Sequence, residues 1–476
     1  MARRKKLPLI TDLEITDIAA EGKSIARYDN MVVFIPNLVP GDVADVQVVR
    51  KKKKYMEGFC TELKKESEIR TIPFCAHFGV CGGCKWQILS YEKQLYFKQK
   101  QVSDHLQRIG RVSLPEMNPI LGSEQQQYYR NKLEYTFSSS RWLSDAEIKS
   151  GAEIDDRRAL GFHLPGKFDR ILDIDTCYLQ NDLSNRIRNR IRDYTLQHDY
   201  TYFDHRSRTG LMRNLIIRNS NLGEWMVIVV FQYDEHEKID PLINMLAVEF
   251  PDITSLMYVI NPKLNDTIND LDIQLYSGRD HIIEELDGLK FRIGPKSFFQ
   301  TNTSQALRLY RTALEFAELK GEELVYDLYT GTGTIANFIS SHCKNVIGIE
   351  NVGEAIKDAK VNSRINNIHN TQFFTGDIKD VLTPEFFTNY GRPDVIITDP
   401  PRAGMHPDVV KAIKESLPEI IVYISCNPAT QARDIQLLSD VYHVNRVQPV
   451  DMFPQTHHVE NIVRLDRIPV SVEKQG

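Results

Sequence analysis

The chain has 476 residues, of which 42% are hydrophobic and 26% charged, and its formal net charge is -5. This length predicts two to four folded domains rather than one core. The sequence contains no run of about 18 apolar residues, and its basic start is not followed by an apolar segment, so it predicts neither a membrane span nor a secretory signal. We therefore expect a cytoplasmic protein, and we expect it to be a monomer.

Basic residues are concentrated in the first half of the chain, although the total charge is negative. They form clusters at residues 3–6, 50–54, 186–192 and 206–218. Any one of these clusters could be an ordinary solvated face. Because all of them precede residue 220, they favour an N-terminal half that faces a polyanion.

Residues 1–65 have the pattern of a small all-β barrel. Strand-like runs at 31–35 and 45–49 are separated by turn signals such as Asp29-Asn30 and Pro40-Gly-Asp42. Barrels of this size often bind nucleic acid. The lysine-rich residues 50–54 would then lie on a hairpin or a barrel edge, where lysine is also common because it prevents strand pairing.

Residues 66–300 are mixed in pattern, with a polar helix predicted at 91–109 and a strand at 225–231; the strand order here is not predicted. The chain has seven cysteines, and an odd count without a signal sequence favours metal or catalytic use over disulfides. Cys75, Cys81 and Cys84 lie within ten residues of one another, and Cys177 is the available fourth thiol. Structural zinc is the usual first interpretation, but this spacing fits no common zinc finger. We assign two further cysteines, Cys60 and Cys343, to packing.

Residues 301–476 change to strands that alternate with helices, which is typical of a parallel sheet built from βαβ units. Strands are predicted at 323–328, 345–349, 394–398 and 420–425. The first strand runs into a turn with Gly331 and Gly333, where backbone can approach a ligand closely. That turn also fits a dinucleotide fingerprint and does not by itself identify the ligand.

Three acidic residues of this region each follow a strand-like run: 345–349, the short run at 373–375, and 394–398. Glu350 is placed to bind the hydroxyls of a ribose, Asp377 could face an adenine, and Asp399 precedes a Pro-Pro turn. Such acids can be mere helix caps. Together and in this order, they resemble the layout of S-adenosylmethionine methyltransferases more than that of a dehydrogenase.

A cysteine closes the strand at 420–425. Cys426 is followed by Asn427 and Pro428, which turn the chain at once and would present the thiol to a cleft near a bound sulfonium. A lone cysteine is more often a small buried hydrophobe. A methyltransferase acting on carbon 5 of a pyrimidine does need a thiolate, however, because carbon 5 becomes nucleophilic only after addition at carbon 6.

The same reaction needs a base that removes the carbon-5 proton, and Glu460 is the candidate carboxylate. His457 and His458 precede it and could serve instead, but we interpret them as loop residues. Arg402 follows the Pro-Pro turn, where enzymes that methylate exocyclic amines typically carry an aromatic residue and RNA cytosine-5 enzymes commonly a cysteine. Uracil is therefore the favoured base.

With these residues, the chain resembles the RNA uracil-5 methyltransferase family over essentially its whole length. The matching stretches are Ser297-Phe-Phe-Gln-Thr-Asn302, Asp327-Leu-Tyr-Thr-Gly-Thr-Gly333, Asp399-Pro-Pro-Arg-Ala-Gly404, Ser425-Cys-Asn-Pro428 and His458-Val-Glu460. The resemblance implies a multidomain protein with an N-terminal OB-like β-barrel of the TRAM type (1–65), a mixed α/β central iron-sulfur domain (66–300) and a C-terminal Rossmann-like α/β S-adenosylmethionine methyltransferase domain (301–476).

The resemblance also implies roles for particular residues. Cys426 would be the nucleophile and Glu460 the base, while Thr334 stands where some relatives carry a cofactor-binding asparagine. The implied contacts to S-adenosylmethionine are Gln300, Tyr329, Glu350, Asp377 and Asp399. The implied ligands of a [4Fe-4S] cluster are Cys75, Cys81, Cys84 and Cys177. Ribosomal RNA, in particular 23S rRNA, is the favoured substrate and transfer RNA the alternative; a small-molecule methyltransferase and a catalytically silent RNA-binding protein are the other classes considered.

Overall fold

The computed structural model describes residues 7–469, so the basic cluster at 3–6 lies outside the described residues. The first five strands close into a barrel in the order β1-β2-β3-β5-β4. Alternate residues of the fourth strand, Ala44, Val46 and Val48, point inward, as the two-residue period of a strand requires. The strands are β1 Leu9–Ile18, β2 Ser24–Tyr28, β3 Met31–Ile35, β4 Val43–Lys51 and β5 Tyr55–Lys65. The predicted barrel is confirmed, and lysines 52–54 lie exposed at the turn between β4 and β5.

The first long helix, α1 Tyr91–His105, continues into a single π-helical turn, Leu106–Gly110. Val102 and Leu106 belong to the same hydrophobic core as the C-terminal sheet. The segment that follows the cysteine cluster therefore packs against the C-terminal part of the chain, although its sequence lies before the central strands.

A seven-stranded sheet forms the central part, in the order β12-β11-β10-β9-β6-β7-β8. Every residue of Trp225–Phe231 is buried, because helices cover one face of this strand while the C-terminal core covers the other. The elements are β6 Lys132–Ser138, α2 Asp145–Ser150, β7 Ala159–Leu164, β8 Lys167–Asp173, α3 Asp182–Gln197, β9 Met212–Asn219, β10 Trp225–Phe231, α4 His236–Glu249, β11 Ile253–Ile260 and β12 Ile273–Gly278. The strand predicted at 225–231 is confirmed.

The C-terminal part begins with a hairpin and continues as a second seven-stranded sheet, in the order β17-β16-β15-β18-β19-β21-β20. Its first five strands are parallel, and β21 and β20 are antiparallel additions at one edge. The elements are β13 Ile282–Leu286, β14 Leu289–Ile293, α5 Thr303–Ala317, β15 Leu324–Leu328, α6 Thr334–Ile339, β16 Asn345–Glu350, α7 Gly353–Ile365, β17 Thr371–Thr375, α8 Ile378–Val381, α9 Pro384–Tyr390, β18 Val395–Thr398, α10 Pro407–Ser416, β19 Ile420–Ser425, α11 Pro428–Leu438, β20 Tyr442–Val450 and β21 Glu460–Arg467.

All four strands predicted for this region are present, within a residue at each end. The sheet reverses its winding between β15 and β18, and open α/β sheets bind ligands in the crevice at such a point. Within residues 7–469, no helix is both long and apolar enough to cross a membrane.

Candidate active site

A cavity of about 820 Å³ lies at the carboxyl ends of the parallel strands of the C-terminal sheet. Its lining combines residues from separate strands and loops, as expected where a sheet reverses its winding. Six of the seven residues predicted to act on the cofactor or the substrate line it: Gln300, Tyr329, Glu350, Asp399, Cys426 and Glu460. The cavity is therefore shared by the proposed cofactor contacts and the proposed reactive groups.

Asp377 is the predicted site residue that does not line this cavity. Its carboxylate caps helix α8 by accepting from the Lys379 N–H at 3.3 Å, and it pairs with the Lys379 ammonium at 3.3 Å. The sequence placed an acid correctly after β17, but this side chain is turned toward its own helix.

The turn after β15 brings backbone to the cavity wall. Gly331 has a φ of 55° and Gly333 a φ of 72°, values that favour glycine. A Cβ on Gly333 would lie 2.9 Å from the Cβ of Ala359, so a larger residue would push helix α7 away. The Gly331 N–H donates to Glu350 at 3.2 Å, which ties the turn to the acid at the end of β16. Tyr329 has a φ of 64°, an unusual value for a tyrosine and of the kind that clusters at functional sites.

Cys426 and Glu460 face each other because of strand register. β19 and β21 are antiparallel, and their last pair is Ser425 with Asn461, so extending the register by one residue past the end of β19 brings Cys426 beside Glu460. Asn427 caps helix α11 and also donates to the Arg402 carbonyl at 2.9 Å. The cysteine therefore lies on a short turn that is fixed to both the helix and the loop after Asp399.

Burial raises the pKa of three groups that line the cavity, Glu460, Asp399 and Cys426. Burial, with the carboxylate of Asp399 next in importance, raises the pKa of Glu460 to about 8, and burial raises the pKa of Asp399 to about 7. Burial raises the pKa of Cys426 to about 11, and the two carboxylates add to this effect. A cation bound in the cavity would favour the ionised form of all three groups, so the donor set fits a sulfonium ligand.

Arg402 is a site residue whose role the sequence did not reveal. Its guanidinium is the cation that lowers the pKa values of both Cys426 and Glu460 against the effect of burial. It also donates to Nδ1 of His458 at 3.3 Å. Its position directly after the Pro-Pro turn is visible in the sequence. From the sequence alone, that position argued only against other substrates and gave Arg402 no role of its own.

The two histidines before Glu460 stack on each other, with ring centroids 4.0 Å apart. Burial lowers the pKa of His457 to about 3 and that of His458 to about 4, so both are neutral near pH 7. Both lie in the loop between β20 and β21, as the loop interpretation expects.

The four cysteines of the predicted metal site line a second cavity of about 480 Å³, which adjoins the first because Arg130, Arg402 and Phe453 line both. Burial, with smaller contributions from the neighbouring thiols, raises the pKa of Cys81 to about 11 and that of Cys84 to about 12. Among residues 7–469, no three His, Cys, Asp or Glu side chains are arranged to hold a single metal ion. The four thiols therefore converge on one cavity, but the described residues form no ligand set for a single metal ion.

The basic clusters predicted to face a polyanion differ from one another in the structure. Arg188 and Arg213 are buried and bind protein groups: Arg188 donates to the side chain of Asn185 and Arg213 pairs with Asp266. For these two arginines the interpretation was wrong, because their charge is used inside the central domain. The exposed lysines 52–54 at the barrel hairpin remain available to a ligand.

Comparisons with known proteins agree with this architecture. The family model described as tRNA (Uracil-5-)-methyltransferase matches residues 274–468, and the TRAM domain model matches residues 10–59. A protein of Bacteroides thetaiotaomicron described as an uncharacterized RNA methyltransferase is 58% identical over 452 residues, which cover 94% of this chain and 100% of the relative. One of Porphyromonas gingivalis with the same description is 55% identical, covering 96% and 99%.

One solved structure is similar to this chain over almost its whole length. The tRNA (uracil-54, C5)-methyltransferase of Pyrococcus abyssi, in complex with S-adenosyl-L-homocysteine, is 27% identical, with a TM-score of 0.73 over 95% of this chain and 99% of that one. Fold and cavity thus define an S-adenosylmethionine-dependent methyltransferase with an N-terminal TRAM barrel. The chain belongs to the RNA uracil-5 methyltransferase family.

Proposed function

We propose that this protein methylates carbon 5 of a uridine in folded RNA, with Cys426 as nucleophile and Glu460 as base. The observation that carries the proposal is that both residues line one cavity, with Cys426 directly after the end of β19 and Glu460 at the start of the neighbouring strand β21. Methylation at carbon 5 needs a thiolate on one ring carbon and a base at the neighbouring carbon, and adjacent strands supply both at this spacing.

Side chains of the protein carry out the covalent step and the proton transfer. S-adenosylmethionine, when bound, supplies an electrophilic methyl group. The thiolate of Cys426 adds to carbon 6, which moves the electron pair of the ring double bond toward carbon 5. After carbon 5 has been methylated, the Glu460 carboxylate removes its proton. The electrons of that C–H bond re-form the double bond as the bond from carbon 6 to sulfur breaks, which regenerates the thiolate.

We assign the cofactor contacts to Gln300, Tyr329, Glu350, Asp377 and Asp399. Support comes from the shared cavity, which four of the five line. Glu350 stands where a carboxylate can accept from ribose hydroxyls, and its two oxygens already accept from the N–H groups of Gly331 and Val352, which fix its orientation. For Asp377, binding requires its side chain to turn away from Lys379.

The choice of RNA follows the resemblance to RNA uracil-5 methyltransferases. We favour ribosomal RNA, in particular 23S rRNA. Transfer RNA is the second candidate, since the Pyrococcus abyssi relative is described as acting on uracil-54 of tRNA. A small-molecule substrate would leave the TRAM barrel and its exposed hairpin lysines without a use.

Purified protein is expected to release tritium from RNA that carries the label at carbon 5 of uridine, in equal amount to the methyl groups transferred. The reason is that the carbon-5 hydrogen must leave in each turnover. Parallel assays of 23S rRNA and of tRNA identify the substrate by which one is methylated. Methyl transfer to either RNA without tritium release would place the methyl group elsewhere and contradict the proposal.

We also propose that Cys75, Cys81, Cys84 and Cys177 hold a [4Fe-4S] cluster. Support comes from the convergence of the four thiols on one cavity, since a four-iron cluster takes one cysteine thiolate per iron. A backbone N–H, that of Gly83, donates to Cys81 Sγ at 3.4 Å, the kind of contact that tunes such clusters. The cluster would join the central domain to the segment before α1.

Protein purified without oxygen is expected to contain about four irons per chain and the broad visible absorption of iron-bound thiolates. Cys84→Ser should lose most of both, because one ligand of the cluster is missing. Cys60→Ser is the matched control, since Cys60 lies in the barrel and lines neither cavity. Stoichiometric zinc in place of iron, or unchanged iron in Cys84→Ser, would show that the assignment is wrong.

A further inference from the structure

The loop at residues 451–459 connects β20 to β21 and ends at Glu460. Val450, the last residue of β20, pairs with Glu460 across the two strands, so both ends of the loop meet at the proposed base. Glu460 is buried and is the first residue of β21, directly after the loop. The backbone of the loop and its two strands therefore sets where its side chain starts.

The loop is held by the segment that runs from the cysteine cluster into helix α1. The N–H groups of Lys85 and Trp86 donate to the carbonyl of Gln455 at 2.9 and 3.0 Å. The side chain of Gln94 then pairs with Gln455 in both directions: its Nε2 donates to Gln455 Oε1 at 3.0 Å, and its Oε1 accepts from the Gln455 N–H at 2.9 Å. Contacts of this kind fix a loop in one conformation.

The first residue of the loop, Asp451, forms a completely buried ion pair with Lys98 of helix α1 at 2.5 Å. Lys98 also donates to the Phe453 carbonyl at 3.0 Å, and Tyr91 donates to the second oxygen of Asp451 at 2.8 Å. Burying an ion pair often stabilises a protein no better than an apolar pair of the same size. This ion pair lies one residue from Val450, the strand partner of Glu460. We therefore interpret it as fixing the position of the loop rather than as adding to the stability of the fold.

We propose that Lys98, through Asp451, is a positioning residue that aims the Glu460 carboxylate at the carbon-5 proton; this rests on the proposed function. Misplacement of a reacting group by about 1 Å can cost roughly a hundredfold in rate. Loosening the loop should therefore slow proton removal while leaving Cys426, on a different strand and turn, able to form the RNA adduct.

Lys98→Met is expected to accumulate the covalent enzyme–RNA adduct on a denaturing gel and to slow tritium release roughly ten- to a hundredfold. The KM for S-adenosylmethionine should stay within about twofold, because the loop does not carry the cofactor contacts. Tyr91→Phe removes one hydrogen bond to the same carboxylate without leaving a buried charge unpaired, so it should show a smaller change in the same direction. Lys100→Met is the matched control: Lys100 is on the same helix but pairs with Asp17 and Asp104.

The inference is overturned if folded Lys98→Met protein shows the same adduct fraction and the same tritium release as Lys100→Met. Should Lys98→Met fail to fold, Tyr91→Phe decides, and an adduct fraction equal to that of the unchanged protein overturns the inference. Absence of tritium release by the unchanged protein would instead count against the proposed function, so the two failures are distinguishable.

Discussion

Replacing Cys426 with alanine is expected to lower RNA methylation by roughly four orders of magnitude or more, because no other thiol among residues 7–469 lines the cavity. Binding of S-adenosylmethionine should change little, since the proposed contacts lie in the loop before α5 and at the ends of β15, β16, β17 and β18, and none is on β19 or its turn. Tritium release from labelled RNA measures the first effect, and calorimetric titration with S-adenosylmethionine measures the second.

Cys60→Ala provides the control for this substitution. It removes a thiol of the same size from the barrel, so both methylation and cofactor binding should remain near those of the unchanged protein. If Cys426→Ala retained tritium release at a rate close to that of Cys60→Ala, covalent catalysis by Cys426 would be wrong. Loss of cofactor binding in Cys426→Ala would indicate that the thiol supports the cavity rather than the chemistry.

The strands of the C-terminal sheet were predictable because each buried parallel strand is a short apolar run between turn signals. The runs ending at Leu328, Thr398 and Ser425 show this directly. Their carboxyl ends carry chemically distinctive residues, so Asp399 and Cys426 could be assigned to one edge of the sheet from order alone. The structure places both at the same cavity.

Pairing between distant strands was not predictable in this way. Nothing local in the sequence shows that Ser425 pairs with Asn461 in an antiparallel register, and it is this register that places Cys426 opposite Glu460. The same limit applies to the central sheet. Its strand β6 ends at Ser138 and pairs with β9, which begins only at Met212, so that Lys132 lies opposite Arg218.

The burial of charged residues could not be predicted either, because charge alone does not tell whether a side chain faces solvent or a buried partner. Arg213 is almost fully buried and bonded to backbone carbonyls and to Asp266, yet in the sequence it belongs to a basic cluster. Lys98 was an ordinary lysine of a polar helix until its partner Asp451, 353 positions away, was placed beside it. Such pairs are set by tertiary packing, so they could not be recognised from local pattern.

Glu460→Gln is expected to trap the covalent RNA adduct and to slow its resolution roughly a hundred- to ten-thousandfold, the range that a general base contributes. Glutamine has nearly the same shape and cannot take the carbon-5 proton, so the methylated ring stays attached to Cys426. The adduct should carry the methyl group, which mass spectrometry of the trapped species can verify.

The pH dependence of adduct resolution also tests whether Glu460 is the base that removes the carbon-5 proton. Because the pKa of Glu460 is raised to about 8, most of this group is protonated near pH 7 and its carboxylate fraction grows as the pH rises through 8. Resolution of the adduct by the unchanged protein should therefore accelerate from about pH 7 and level off above about pH 9, while Glu460→Gln should show no such rise. Asp380→Asn, which alters an exposed acid of helix α8 outside the cavity lining, should keep the rise. Ordinary turnover by Glu460→Gln, or a rise with pH that survives this substitution, would assign proton removal to another group.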